Sequence, residues 1–450
     1  MTAVLILAGI VLCAVSGIPA LFSTRSGARA STMLIALGGI AGIAGSIFAL
    51  RGEIGIISEP WAIPGGAFHL RVDALSAFFI IPVFVVAFSC SLYSERSWPQ
   101  SVRGAGVLRL FFGLVAGALV LLMSAANAIL FLAAWEIVAV GAFFLIGAGS
   151  ESDEVRKASW LYLAASHIAT LALFTLFSVI HAATGSWELA TIHTAAHTGI
   201  LPIVFALAVT GFLIKAGAMP FHVWLPGAHA GGPSHVSALM SGVVIKMGIY
   251  GLVRVLSLFD TTPGWFGSTI LLIGIVSSIL GVAFALAQHD FKRLLAYHSI
   301  ENIGIILIGI GTGLIGKSIG SPALTILGFA GGLLHVWNHG MFKSLLFLGA
   351  GSAVHSSGTR EIDRMGGLAH RMPWTAGAFL LGAVAISGLP PLNGFVSEWL
   401  LYLSSFTGAI DGRSLLVFAV APALAITGAL AVACFVKAFG VVFLGAPRTA

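Results

Sequence analysis

Six charged side chains stand inside long apolar stretches of this chain of 450 residues: Lys215, Lys246, Lys343, Lys437, Glu136 and Glu398. A charge at the centre of a membrane helix costs about 2.5–3.5 kcal/mol on insertion scales, so each needs a partner or a use. One reading is structural: long side chains snorkel to the interface, or opposite charges merely neutralise each other. The other is a proton relay. Burial disfavours the charged form of a lysine, so it releases its proton more readily, and a nearby carboxylate restores the charge. Alternating acid and base groups joined by water would then carry protons. Lys215 lies in GFLIKAGAMPFHVWLP, five residues before Pro220. A proline interrupts a helix and frees backbone groups, which admits water beside the lysine.

A second group lies in LLHVWNHGMFKSLLFL. His335, His339 and Lys343 recur at i, i+4 and i+8 and share one helix face. Imidazole titrates near physiological pH and suits proton transfer. Packing histidines are the plainer alternative. A metal site is not expected, since no third ligand is evident and a lysine follows. His298 and Glu301 in LLAYHSIENIG form a further polar pair, accessory to the relay or to proton uptake from inside.

Helices must position these groups. The chain is 58% hydrophobic and 8% charged, against roughly 25% charged in soluble domains. Apolar runs long enough to span a bilayer recur throughout. The fold class is therefore all-α and polytopic, with about thirteen transmembrane helices near 3–22, 32–50, 73–93, 107–123, 125–147, 158–183, 199–221, 236–258, 267–287, 294–315, 322–350, 373–408 and 414–446. Residues 51–72 are short and turn-rich and read as a surface hairpin. The seventh span is interrupted around Gly217 and Pro220, the twelfth at LPPLNG, Leu389 to Gly394.

The two interrupted spans are five apart. Each is followed by a span with a lysine, in VVIKMGIYG and CFVKAFGVV. An odd offset reverses direction, so the pattern is an inverted repeat with broken helices in equivalent places. The expected organisation is 1–106, with helices 1–3 and an external hairpin; 107–258, the first five-helix repeat; and 267–446, the second. Loop charges set orientation. Arg25, Arg29, Arg96, Arg103, Arg156, Lys157, Lys292, Arg293, Arg360, Arg364, Arg371 and Arg448 fall on one side. Arg51, Arg71, Arg254, Lys317 and Arg413 fall on the other, which places the N-terminus outside.

Other function classes find no support. The net charge of +6 is scattered through short loops and forms no nucleic-acid patch. Cys13, Cys90 and Cys434 sit singly in apolar runs, with no spacing for a disulfide framework, zinc or an iron–sulfur cluster. No glycine-rich nucleotide loop is present. Residues 1–22 lack the basic start of a signal peptide and read as a first span.

KAGAMPFHVWLPGAH, VSALMSGVVIKMGIYGLVR, DFKRLLAYHSIENIG, HGMFKSLLFLGAG and GLPPLNGFVSEWL resemble the antiporter-like membrane subunits of respiratory complex I. That family includes multisubunit sodium/proton antiporters and group 4 membrane-bound nickel–iron hydrogenases. The resemblance runs from about Asp73 onward. It implies fourteen core helices with two inverted five-helix repeats broken at helices 7 and 12. By position it implies a relay of Glu136 on the fifth helix, Lys215 on the seventh and Lys246 on the eighth. His335, His339 and Lys343 on the eleventh and Glu398 on the twelfth complete it. His298, Glu301, Lys437 and His222 are accessory candidates. YHSIENIG and LPPLNGFVSEWL are most similar to the hydrogenase-4 component B and formate hydrogenlyase branch. That branch implies a proton-translocating subunit with no redox centre of its own. Nickel–iron and iron–sulfur centres are then expected in partner subunits. The implied partners are a peripheral hydrogenase or redox module and other membrane subunits of the complex, in the inner membrane. The alternatives are a subunit of a sodium/proton antiporter or of a quinone-linked NADH dehydrogenase. The sequence departs from the pattern at the glycine-rich GAHAGGPSH, with Gly227 where quinone-linked relatives often have an acid. It ends at GAPRTA, where the branch continues with another helix, so truncation is expected.

Overall fold

In the structure, a computed structural model, residues 1–22, 25–102, 104–411 and 415–448 are described. Arg103 and Arg413 from the charge comparison lie outside them, as does the side chain of Arg25. The helices in chain order are α1 (Thr2–Val15), α2 (Ile18–Phe22), α3 (Arg25–Leu50), α4 (Ala74–Ser97), α5 (Ala105–Ser124), α6 (Ala128–Gly147), α7 (Asp153–Thr184), α8 (Leu201–Ala216), α9 (Leu225–Gly231), α10 (Ser234–Leu239), α11 (Lys246–Leu258), α12 (Gly264–Leu286), α13 (Phe291–Ser318), α14 (Pro322–Ser357), α15 (Leu368–Arg371), α16 (Pro373–Ile386), α17 (Asn393–Asp411), α18 (Leu415–Phe418) and α19 (Val420–Phe443). Between α3 and α4, strands β1 (Gly55–Glu59) and β2 (Phe68–Val72) pair antiparallel, with Gly55 opposite Val72.

Among the described residues eleven helices are long and apolar enough to cross a membrane. The sequence predicts about thirteen spans, and the difference has a local cause. The eleventh predicted span is α14, a 36-residue helix whose hydropathy is lowered by His335, Asn338, His339 and Lys343. The twelfth is divided into the 14-residue α16 and α17. The eighth begins earlier than expected, because α10, a π-helical turn at Met240–Val244 and α11 run on as one element from Ser234 to Leu258.

Side chains set the helix starts. Asp73 caps α4 by accepting from the Ser76 amide at 2.9 Å. Asn127 caps α6 through the Ile129 and Leu130 amides, and Asp290 caps α13 through those of Lys292 and Arg293. Each satisfies amides that the first turn leaves without partners.

The chain divides into two compact units. The first comprises Met1–Ala216 and Gly231–Asp260. Its central element is Ser234–Leu258, the most buried of its spans. Gly248 lets this element approach α8, because a Cβ there would lie 2.3 Å from the Phe212 carbonyl oxygen. Arg254 of α11 makes a two-pronged ion pair with Asp73, both bonds at 2.7 Å. Arg254, assigned to a loop in the charge comparison, is thus a helix residue clamped to the cap of α4.

The second unit comprises Gly217–Ala230 and Thr261–Ala450, with α13, buried without a break from His298 to Gly316, at its centre. Glycines let the backbones meet. Gly267, Gly274 and Gly281 of α12 face α13, and a Cβ on any of them would lie 2.6–2.7 Å from an α13 amide nitrogen. Gly304 and Gly311 face back toward α12 with similar clearances. Small residues at regular spacing permit this approach where hydrocarbon provides no hydrophobic drive. Lys292, also assigned to a loop, is buried in the first turn of α13.

Both interrupted helices are broken by the same chemistry. Gly217 has φ +75° and Gly388 φ +64°, a conformation that favours glycine. Three residues after each comes a cis proline, Pro220 and Pro391. Side chains take up the freed backbone groups. Ser277 of α12 accepts from the Met219 amide at 3.0 Å. Asn338 of α14 donates to the Asn393 carbonyl at 2.6 Å and accepts from the Asn393 side chain at 3.1 Å. Non-helical backbone at membrane depth persists only when so satisfied.

Candidate functional site

The charged residues fall into two clusters, one in each unit. In the first, Lys215 sits in the last turn of α8, one residue before its end, and is 1% exposed. Its ammonium donates to the Tyr162 hydroxyl at 2.7 Å and to Ser166 Oγ at 3.3 Å. It also lies over the rings of Tyr162 and Trp135, 4.7 and 5.7 Å from their centroids. Cation–π contacts of this kind offset part of the lost hydration.

Glu136 takes a different place from the one its sequence position suggests. It lies mid-way along α6, but its side chain is 33% exposed. Thr170 Oγ1 donates to its Oε1, and His167 Nε2 stands 3.4 Å from its Oε2. Among the described residues its ion-pair partner is His167, and Lys215 acts on it at longer range. Glu136 also lines a groove of about 330 Å³ with Phe111, Leu114, Ile137, Val140 and Gly141.

Lys246 is 2% exposed and follows the π-helical turn, donating to the Ser241 carbonyl within it. Such turns often accompany functional sites, because an extra residue per turn releases a carbonyl from the helix ladder. His222 is half-buried on the linker between α8 and α9.

The second cluster centres on Lys343 of α14, which is fully buried. Among the described residues its ammonium has no hydrogen-bond partner; it faces the Phe347 ring at 5.7 Å and feels the charge of Glu301. Glu301 contacts His298 Nδ1 three residues earlier on α13, and His298 in turn bonds to the Cys434 thiol of α19. One turn above Lys343, the His339 ring packs against Phe342. His335 is held by both ring nitrogens, Nδ1 with Ser397 Oγ at 2.8 Å and Nε2 with Asn302 Oδ1 at 3.0 Å. Glu398 of α17 is 7% exposed and lies on the break; a Cβ on Gly388 would come 2.6 Å from its carboxylate.

The structure thus gathers His335, His339, Lys343 and Glu398 with the accessory pair His298 and Glu301. It sets Lys437 aside: that ammonium donates to the Leu286 and Gln288 carbonyls at 2.9 and 3.0 Å and closes the end of α12. Lysines commonly serve helix C-termini in this way. Among the described residues no three His, Cys, Asp or Glu side chains come together as metal ligands.

The sequence reading passed over α7. Tyr162, Ser166 and Thr170 stand at i, i+4 and i+8, the same spacing that singled out α14, and all point to the Lys215–Glu136 region. Hydroxyl side chains in an apolar helix are easily taken as packing residues, so only the spacing could have drawn attention to them. Asn302, Ser397, Asn338 and Cys434 were also missed.

Residues 125–427 match the family NADH:quinone oxidoreductase/Mrp antiporter, TM, which is two thirds of the chain. The chain belongs to that family. This family member is 42% identical over 388 residues to hydrogenase-4 component B of Escherichia coli K12, covering 84% of this chain and 58% of that protein. It is 37% identical over 426 residues to formate hydrogenlyase subunit 3 of the same organism, covering 92% and 68%. The chain therefore spans little more than half to two thirds of the length of these relatives. Its structure is similar to a chain of the membrane-bound sulfane sulfur reductase, an archaeal respiratory membrane complex, with TM-score 0.82, 25% identity and coverage of 98% and 70%. The protein is an integral, multi-pass, antiporter-like membrane subunit related to hydrogenase-4, formate hydrogenlyase, complex I and Mrp subunits.

Proposed function

We propose that this antiporter-like subunit translocates protons, and that each unit carries one charged site on which protons are taken up and released. The observation that carries this reading is Lys343, fully buried and without a hydrogen-bond partner among the described residues, under the charge of a buried carboxylate, Glu301. An ammonium kept in such a place needs water or a changing counter-charge, which a static packing role does not require. Lys215 repeats the theme in the first unit, held by hydroxyls and not by a carboxylate.

The redox chemistry would lie elsewhere. Cys13, Cys90 and Cys434 are buried on separate helices, a donor set unsuited to an iron–sulfur cluster. The relatives' names, hydrogenase-4 component B and formate hydrogenlyase subunit 3, favour a hydrogenase and further subunits as partners. The sequence resemblance adds that the hydrogenase is a peripheral nickel–iron module, and the loop charges favour an N-terminus outside. Gentle purification of the tagged protein from its host, with mass spectrometry of what co-purifies, tests the partner. Recovery of hydrogenase and iron–sulfur subunits is expected. Recovery of small membrane subunits alone would replace this reading with a cation/proton antiporter. Proton translocation is tested in the same complex with Lys215→Ala and Glu136→Gln, both expected to lower it while assembly is kept; unchanged pumping in assembled complex would end the proposal.

A further inference from the structure

The first unit holds a polar path that the charged residues alone do not reveal. Lys215 and Glu136 have no direct bond, and the space between them is bridged by one face of α7. Lys215 Nζ donates to Ser166 Oγ at 3.3 Å and to the Tyr162 hydroxyl at 2.7 Å, and Tyr162 and Ser166 are bonded to each other. One turn further, Thr170 Oγ1 reaches Oε1 of Glu136. The other carboxylate oxygen, Oε2, faces His167. Tyr162 and Ser166 are buried, whereas His167 is 50% exposed on its side chain, so the path leads outward from the interior of the unit.

We propose that α7 is the proton bridge of the first unit: Ser166 and Thr170 carry the proton from Lys215 to Glu136, Tyr162 positions the ammonium, and His167 takes the proton on from the far side of the carboxylate. This deepens the reading of proton translocation given above and rests on it. Neighbours at i and i+4 on a helix are about 5–6 Å apart, a gap that one water molecule between Ser166 and Thr170 closes. The Lys215 ammonium gives its proton to Ser166 while the Ser166 hydroxyl proton passes to that water. The water protonates Thr170, and the Thr170 proton goes to Oε1. The products are a neutral amine and a neutral carboxylic acid in place of an ammonium and a carboxylate, so charge is conserved and no bond other than O–H and N–H changes. The carboxyl group then turns about its terminal C–C bond, which carries the protonated oxygen to the side that faces His167, and gives its proton to His167 Nε2, leaving a carboxylate and an imidazolium.

The arrangement gives Glu136 two distinct faces. Oε1 is served by a hydroxyl from inside, and Oε2 by an imidazole half-open to the outside of the unit. The groove beside it is lined otherwise by Phe111, Leu114, Ile137, Val140 and Gly141, none of which can pass a proton.

The test uses the purified complex containing the full chain, reconstituted into proteoliposomes with an internal pH dye, with proton flux driven by a potassium diffusion potential. Thr170→Val and Ser166→Ala are each expected to lower flux about a hundredfold, the lower end of the range for loss of a positioned proton-transfer group. Thr170→Ser restores the hydroxyl and should recover most of it. His167→Gln should lower flux similarly while retaining a polar side chain. A second readout separates transfer from packing: the infrared carboxylic-acid band that Glu136→Gln removes should persist in His167→Gln and vanish in Thr170→Val. If Glu136→Gln abolishes flux while Thr170→Val and His167→Gln leave it intact, the bridge is overturned and the wider reading stands. If Glu136→Gln itself leaves flux intact, both fall.

Discussion

The Lys215 ammonium donates to the Tyr162 hydroxyl at 2.7 Å, across 53 residues of sequence, and not to the carboxylate of Glu136. A buried ammonium next to a carboxylate would form a fixed ion pair, costly to break. Held by neutral hydroxyls, it feels Glu136 only through space, so the charge of either group can change without tearing a bond.

That placement makes Tyr162 a stability residue as well. Tyr162→Phe removes one acceptor from a buried charge and should destabilise the protein by about 1–3 kcal/mol. Thermal unfolding in detergent measures it. A melting temperature equal to that of the parent would show that water replaces the hydroxyl.

The ion pair of Asp73 with Arg254 should show in the acid limb of stability. Burial alone would raise the Asp73 carboxyl, but the Arg254 bonds and charge prevail and hold it at about 2. An unfolded aspartate titrates near 3.9, so the stabilisation is complete above about pH 4 and is lost as the pH falls through 2. Asp73→Asn should lower stability by about 2 kcal/mol at neutral pH and flatten the loss between pH 4 and 2. Melting curves against pH would check both, and a parallel acid limb in the variant would contradict the assignment.

In the second unit, Glu301 and Glu398 are not equivalent. Glu301 acts on Lys343, whereas Glu398 rests on Gly388 at the break and is linked electrostatically to Glu301. Glu301→Gln is expected to reduce proton flux more than Glu398→Gln, by about tenfold or more. Flux in reconstituted vesicles measures the pair, and the reverse order would return the principal role to Glu398.

Backbone contact between α12 and α13 predicts intolerance at Gly281. A Cβ there would meet the Glu301 amide nitrogen at 2.6 Å. Gly281→Ala should force the helices apart at a cost of about 1–3 kcal/mol. It should also displace Glu301, so the melting temperature and proton flux are expected to fall together. A stable, fully active Gly281→Ala protein would show that the helices can separate freely.

Lys437 should behave differently from the other intramembrane lysines. Lys437→Met removes the side chain that closes α12, and a loss of about 1 kcal/mol is expected with flux retained. Flux lost in a folded Lys437→Met protein would place this lysine in the relay after all.

Much of this protein follows from the sequence by itself. Apolar runs of bilayer length dictate spanning helices, because hydrocarbon offers no other partner for backbone groups. The break points were legible in Gly217, Pro220 and LPPLNG, since glycine and proline act on the local backbone wherever they stand. The shared face of His335, His339 and Lys343 was legible for the same reason: helical periodicity is local. The partners were not legible. Glu136 looks central in its helix, yet the rotation of α6 turns it outward toward His167. Glu301 seemed peripheral, yet glycine-to-backbone contact with α12 fixes α13 so that it serves Lys343. Lys437 resembles Lys246 in local text, yet it ends on the carbonyls of α12. Which side chains meet depends on how each helix is rotated and how closely it approaches its neighbours. That is decided by packing between residues far apart in the chain, and only the tertiary structure holds it.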